Sequence, residues 1–336
     1  MTPLVSIVCI TYNHENYIAD AIEGFLMQEV TFPIEIIIHD DASTDETANI
    51  VREYEKKYPE VIRGIYQTEN QYSKGIKITS SFVYPKVNGK YIALCEGDDF
   101  WINKDKLQKQ IDYMEDHPNC SVCFHDAILV DVDKRYLGPF EGTFERRAGV
   151  KNLNELIFTP TASRLFRASC VSELPEWYFR APHGDFALML VCSNYGYVYY
   201  LNEQLSAYRT NVPGSILYEA RKRHQADPKS ALPVALRRLQ ELNDYNEWSD
   251  YKNDQVIQDM ILDQEFRILV IERNLPKLKE VKYKTCFERM GLCGRVKFWI
   301  RWYVPRNLYR GLASVKRRLV VLRNRILHWG KQISII

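Results

Sequence analysis

The chain has 336 residues, 46% of them hydrophobic, with only 15 Gly and 14 Pro and a formal net charge of +2. That composition excludes a disordered or low-complexity chain and allows one large domain, or a domain with an appendage. The charge is unevenly placed: no Asp or Glu follows Glu288, whereas 12 Lys and Arg do, so an acidic body precedes a basic tail.

Leu4 to Ile10 is a near-continuous apolar run, the pattern of a strand covered on both faces. It begins almost at the N-terminus, without the charged-then-apolar order of a signal peptide. No stretch approaches the roughly 18 apolar residues of a spanning helix, so a soluble or peripheral, cytoplasmic protein is expected. Ile18, Ile22, Phe25 and Leu26 recur at helical spacing. Ile34 to Ile38 reads as a second strand, running into His39-Asp40-Asp41. Ser43-Thr44-Asp45-Glu46 then opens a helix with hydroxyl capping options and early acids. A third strand is predicted over 61–67, a short helix over 78–84 and a fourth strand over 91–95, followed by Glu96-Gly97-Asp98-Asp99. A helix over 106–117 stops at Pro118. Repeated units of this kind predict an α/β protein with a mostly parallel sheet and helices on both faces.

Beyond this region the pattern is mixed. A strand is expected over 121–130 and a charged loop to about 150; Thr159-Pro160-Thr161 then leads into 163–167. Gly184-Asp185 opens an amphipathic helix, and 197–201 and 205–209 read as two final short strands. From about 218 onward the pattern is helical. The eight cysteines are scattered, and Cys120 and Cys123 form a single CxxC pair with no second one. Reduced packing cysteines in a reducing compartment are the expectation.

The acidic strand ends carry the chemistry. A buried strand ending in clustered carboxylates is costly unless a cation compensates, and a hard divalent ion with oxygen ligands suits them. An acidic loop that needs no metal is the alternative. Open sheets bind ligands beyond the carboxyl ends of their strands, where Tyr12-Asn13, Asp40-Asp41 and Glu96 to Asp99 all fall.

Val5-Ser6-Ile7-Val8 with Thr11-Tyr12-Asn13, the block Asp40 to Asp45, and Glu96-Gly97-Asp98-Asp99-Phe100-Trp101 together resemble the family 2 glycosyltransferases. Those are inverting enzymes of the GT-A fold that use nucleotide-diphosphate sugars, and the resemblance spans about residues 3–210. It implies a GT-A domain over 1–215, with a donor half to about 125 and an acceptor half from about 126. A helical region then fills 216–336. It further implies that Asp99, aided by Asp98, holds Mn²⁺ or Mg²⁺ against the donor diphosphate. Asp41 would bond the nucleobase and Tyr12 stack on it, with Thr11, Asn13 and Glu96 lining the donor; UDP is the expected nucleotide. Lys74 and Arg209 would meet the phosphates, and Asp185 would be the general base. His183 is a competing base and an acceptor contact. Trp101 and Trp177 would offer platforms to sugar faces, with plain packing as the alternative. One departure stands out: relatives often carry a histidine two residues after the Tyr-Arg pair, whereas Tyr208-Arg209 is followed by Thr210-Asn211, which implies weaker metal binding.

In the tail, Phe298, Trp299, Trp302 and Tyr303 interleave with Arg295, Lys297, Arg301, Arg306 and Arg310. Val315, Leu319, Leu322, Ile326 and Trp329 then recur at helical spacing. Such a segment suits an anionic membrane surface, or else packing on the body or on a second subunit. Nucleic acid is not the expected partner of an acidic body without a binding motif. The expected reaction is metal-assisted, inverting transfer of a sugar from a UDP-sugar to a carbohydrate hydroxyl, lipid-linked if the tail meets a membrane, in bacterial surface-polysaccharide synthesis. A sugar nucleotidyltransferase should carry a Gly-rich phosphate loop, which residues 11–16 lack. A non-catalytic scaffold of the same fold would not need Asp41, Asp98, Asp99 and Asp185.

Overall fold

Alternation of buried side chains along the first strands creates a two-sided sheet. In β1 (Val5–Thr11), Val5, Ile7 and Cys9 join one core while Val8 joins the other. The computed structural model describes residues 2–303 apart from 143 and 157, in two compact units that divide between Glu272 and Arg273.

In the first unit β1 is flanked by β2 (Ile34–Asp40) and β4 (Tyr91–Glu96), both parallel to it, and β3 (Ile62–Tyr66) extends the same parallel run. The remaining strands are β5 (Phe100–Trp101), β6 (Cys120–Val130), β7 (Tyr136–Pro139), β8 (Gly149–Lys151), β9 (Leu165–Arg167) and β10 (Tyr197–Arg209). Together they form a ten-stranded sheet among the described residues, in the order β3-β2-β1-β4-β9-β6-β10-β5, with β7 on β6 and β8 on β10. β9 is antiparallel to both its neighbours, and β10 runs parallel to β6.

Helices α1 (Ile18–Leu26), α2 (Thr47–Lys57) and α3 (Lys106–Asp116) cover one face with Ile18, Ile22, Phe25, Val51, Leu107 and Met114. The short α4 (Glu176–Arg180) leads into α5 (Gly184–Tyr195), whose Phe186 to Cys192 run is buried on the other face. After α6 (Ile216–Ala226), helices α7 (Leu232–Trp248) and α8 (Asp254–Glu272) add Leu242, Tyr245, Ile257 and Ile261 to that same core.

Two expectations need correction. Residues 197–209 form one strand rather than two: the polar run Asn202-Glu203-Gln204 is exposed and taken up by register shifts, so the interruption is a bulge. The segment 79–83 is a single π turn followed by a 3-10 turn rather than an ordinary helix, since Pro85 denies the backbone a donor there. The described cysteines of the sheet and α5 are free and buried, Cys120 and Cys123 among them.

The second unit contains α9 (Leu275–Leu278), α10 (Lys284–Arg289) and α11 (Gly291–Tyr303). On α11, Leu292, Val296, Ile300 and Tyr303 are exposed. The expected stripe from Val315 to Trp329, with Arg306 and Arg310, lies outside the described residues. No helix among the described residues is long and apolar enough to cross a membrane.

Candidate active site

Parallel register brings the three acidic or polar strand ends together. Thr11 stands opposite Asp40, and Ile10 opposite Glu96, so β1, β2 and β4 finish side by side. The loops beyond them are laced to each other. Asn13, at φ 55°, donates its N–H to the Ser43 hydroxyl at 2.9 Å and accepts from the Thr44 N–H at 2.8 Å. His14 donates its N–H to Thr47 Oγ1 at 2.7 Å. Thr47 is the first residue of α2, whose N-cap position, Glu46, makes no side-chain cap bond. Tyr12 remains 42% exposed at the sheet edge.

Asp41 is buried, and both its oxygens accept from the turn that follows β3: Oδ1 from the Gln71 N–H at 2.9 Å and Oδ2 from the Tyr72 N–H at 3.0 Å. The carboxylate thereby fastens the 71–72 turn to the end of β2. Lys74, one turn further, faces solvent and pairs with Glu69.

The acidic turn after β4 is held as tightly. Gly97 donates its N–H to the Ile10 carbonyl at 2.9 Å, and the Asp99 N–H bonds the Glu96 carbonyl at 3.0 Å. A Cβ on Gly97 would fall 2.7 Å from Thr11 Oγ1 and 2.9 Å from His14 Nδ1, so only glycine allows this approach. Asp99 is buried, with Oδ1 accepting the Arg209 backbone N–H at 2.8 Å and Oδ2 left without a partner. Desolvation, then the charges of Asp98 and Glu96, push its carboxyl well above the usual range. Glu96 is pushed up to about 8, by desolvation first and then by Asp98 and Asp185. The Asp98 carboxylate is half-buried and accepts no hydrogen bond from the described residues. No set of three His, Cys, Asp or Glu side chains among the described residues is arranged to hold a metal alone. The unpartnered Asp99 oxygen and the open Asp98 carboxylate still fit a hard cation whose other ligands are substrate oxygens and water. Asp98 is the more accessible of the two.

Three expected contacts are corrected by burial. Arg209 has no exposed side-chain surface: it donates to Asp20 Oδ2 at 2.7 Å and to the Asp98 carbonyl at 3.0 Å. Its guanidinium lies 4.6 Å from the Tyr17 ring centroid and 5.1 Å from that of Phe100. It is a strut beneath the acidic turn, with its guanidinium committed to Asp20 and the Asp98 carbonyl. Trp101 is only 2% exposed, donates Nε1–H to the Ala162 carbonyl at 2.8 Å and packs edge-on against Phe25, so it offers no platform to a sugar. Trp177 is likewise buried, against Tyr245 and Trp248. Asn211 is exposed at φ 61°.

Asp185 lies in the first turn of α5, within electrostatic reach of Glu96. Its carboxylate is 47% exposed; Oδ1 accepts the Phe186 N–H at 2.8 Å. Arg164, fully buried, donates to the Asp185 carbonyl at 3.0 Å and lies 3.9 Å from its Oδ2. Thr159 holds the same guanidinium through its hydroxyl and carbonyl. Arg164 was missed by the sequence reading, although an arginine between Ser163 and the apolar pair Leu165-Phe166 is itself a signal of a buried partner.

Helix α7 bounds the Asp185 side. Arg238 lies 4.1 Å from the Phe186 ring centroid and 3.2 Å from Glu241 Oε2. Glu241 is buried and pushed up to about 7, by desolvation against the pull of Arg238. Lys77 donates Nζ–H to the Ala181 carbonyl at 2.5 Å. His183 is exposed, yet desolvation outweighs the pull of Asp185 and lowers its pKa below the ordinary value.

The sequence profile described as Glycosyl transferase family 2 matches residues 6–174. An uncharacterised Mycobacterium tuberculosis protein is 36% identical over 196 residues, covering 55% of this chain and 56% of that protein. Bacillus subtilis TuaG, whose name assigns it to teichuronic acid biosynthesis as a glycosyltransferase, is 36% identical over 138 residues, covering 41% of this chain and 52% of TuaG. The chain thus spans about half the length of these curated relatives. Among solved structures, residues 1–349 of Staphylococcus aureus TarS in complex with UDP-GlcNAc match with a TM-score of 0.58 at 18% identity, over 89% of this chain and 79% of that one.

Proposed function

The chain belongs to glycosyl transferase family 2, and from that membership we propose that it transfers a sugar from a UDP-sugar to a carbohydrate hydroxyl. The fold is GT-A, a mixed α/β sheet whose parallel run ends in the acidic turn. Transfer proceeds with inversion, in bacterial surface-polysaccharide synthesis. One observation carries the reading: Asp185 lies within electrostatic reach of Glu96, together with Asp98 and with the Arg164 that contacts Asp185. That proximity supports a general base acting next to an acidic diphosphate site. The TarS complex with UDP-GlcNAc and the naming of TuaG support the donor class and the setting.

In this reading Asp185 accepts the proton of the acceptor hydroxyl as that oxygen attacks the anomeric carbon. Bond formation on one face and departure of the nucleotide from the other give inversion. Arg164 orients Asp185 through its hydrogen bond to the Asp185 carbonyl. The neutral His183 lines the acceptor side. Thr11, Tyr12, Asn13 and Asp41 border the nucleoside, while Lys74 reaches the phosphates only by leaving Glu69. Mn²⁺ or Mg²⁺ held by Asp98 and Asp99 would stabilise negative charge on the leaving diphosphate as a Lewis acid. Transfer or donor hydrolysis, measured over a UDP-sugar panel, tests this. Asp98→Asn is expected to lower the rate by about 10²–10³, on the scale of losing one preorganised charge contact. A rate within threefold of the parent protein would refute the role.

Peripheral attachment to an anionic membrane through the basic C-terminal region belongs to the same proposal. The exposed residues Leu292, Val296, Ile300 and Tyr303, in a region without acids after Glu288, support it. Full-length protein should co-sediment with phosphatidylglycerol vesicles and be released by salt. Equal binding to phosphatidylcholine vesicles would exclude the electrostatic part.

A further inference from the structure

Trp101 and Trp177, the rings expected to meet sugar faces, are both buried. The chain brings a different aromatic to the sheet edge. β9 runs antiparallel to β4 with Leu165 opposite Ala93, and the Arg164 carbonyl accepts the Leu94 N–H at 3.1 Å. The residues before Arg164 therefore continue past the carboxyl end of β4, where Glu96 to Asp99 lie. Phe158 stands in that segment and is 44% exposed. One face of its ring is stacked on the buried Phe140, with centroids 5.2 Å apart and planes 12° from parallel. No ring lies against the other face among the described residues. Phe140 in turn meets the Tyr208 ring edge-on at 5.5 Å.

Both ends of this stack are tied to the site. Tyr208 precedes Arg209, whose N–H is accepted by Asp99 Oδ1. Strand alternation turns Tyr208 away from α1, towards which the Arg209 side chain points. On the other side, Thr159 follows Phe158 and holds Arg164 through its hydroxyl and carbonyl. Arg164 donates to the Asp185 carbonyl. An exposed ring is thus fixed between a carboxylate of the acidic turn and the residue proposed as base. The exposed rings of Tyr12 and Tyr72 belong instead to the donor side, beside Thr11 and Asp41.

Resting on the transfer reaction proposed above, we infer that Phe158 is the platform on which the acceptor sugar stacks, with a hydroxyl of that sugar directed at Asp185. A pyranose whose hydroxyls are equatorial presents a face of axial C–H groups. Those hydrogens carry slight positive charge and suit the negative face of an aromatic ring. Stacking removes apolar surface from water on both partners and leaves the hydroxyls at the sugar's rim free for polar groups. An axial hydroxyl on the stacked face would lift the sugar off the ring, so the platform selects by ring stereochemistry.

The test uses the full chain saturated with UDP and Mg²⁺, so that the donor side is filled. Saturation-transfer NMR titrations are run with the methyl β-glycosides of glucose, galactose, N-acetylglucosamine and mannose. At least one is expected to bind, with saturation concentrated on the C–H protons of a single ring face. Phe158→Leu keeps apolar bulk against Phe140 but loses the flat ring, and should weaken that binding about fivefold, the scale of one aromatic contact. Phe158→Trp should retain it. Affinity for UDP, measured alongside, should stay within twofold in both variants. The inference is overturned if no glycoside binds, or if Phe158→Leu changes the affinity less than twofold. It is equally overturned if UDP affinity falls in step, which would make the ring a packing residue. Failure of the parent chain to bind UDP at all would instead remove the transferase reading beneath it.

Discussion

Asp185→Asn should lower the turnover of sugar transfer by about 10²–10⁴, the range lost with a positioned general base. Asparagine is nearly isosteric but cannot accept the hydroxyl proton. Its side-chain oxygen can still accept the Phe186 N–H, so the start of α5 is preserved. The ion pair with Arg164 is long, 3.9 Å, and the carboxylate is 47% exposed, so the stability lost with it is on the order of 1 kcal/mol or less. Calorimetric affinity for UDP should therefore be unchanged while turnover collapses. If turnover falls less than threefold, the proton goes elsewhere, and the neutral, exposed His183 becomes the group to replace next.

Arg209→Met should have the largest effect on folding, a loss of about 3–5 kcal/mol, the usual cost of removing one member of a buried ion pair. The methionine fills the space between Tyr17 and Phe100 but leaves the Asp20 carboxylate and the Asp98 carbonyl without their donor. Lys134, 2.9 Å from Asp20, retains part of the compensation and sets the effect toward the lower end. Urea unfolding measures it directly. The acidic turn should also loosen, because Arg209 supports it through both backbone and side chain. A variant as stable as the parent would show that the strut bears little strain.

Local pattern made the donor half readable. Strands buried on both faces leave continuous apolar runs, and the polar residues that follow them must sit at the sheet edge, as Thr11, Asp40 and Glu96 do. Long-range relations were hidden. Nothing in Leu165-Phe166-Arg167 alone announces an antiparallel strand inserted between β4 and β6. An arginine beside a tyrosine at a strand end suits a phosphate clamp as well as a buried strut, and only the position of Asp20 on α1 decides it. Trp101 is equally silent, because its ring closes against Phe25, 76 residues earlier in the chain, a separation that local pattern does not span. Arg164 was legible in principle, as a charge in an apolar run, but its partner Asp185 lies in a helix that local spacing does not connect to it.

On the nucleobase-binding role proposed for Asp41, its attachment to the Gln71 and Tyr72 amides would matter for selectivity. A uracil imide that seeks this carboxylate arrives at an acceptor already shared with the main chain. Nucleotide loading and the ordering of that turn are then thermodynamically linked, so discrimination among bases is distributed between a side chain and the stiffness of a neighbouring peptide. Exchanging the aspartate alone would not transplant a preference for another nucleotide; the turn would have to travel with it.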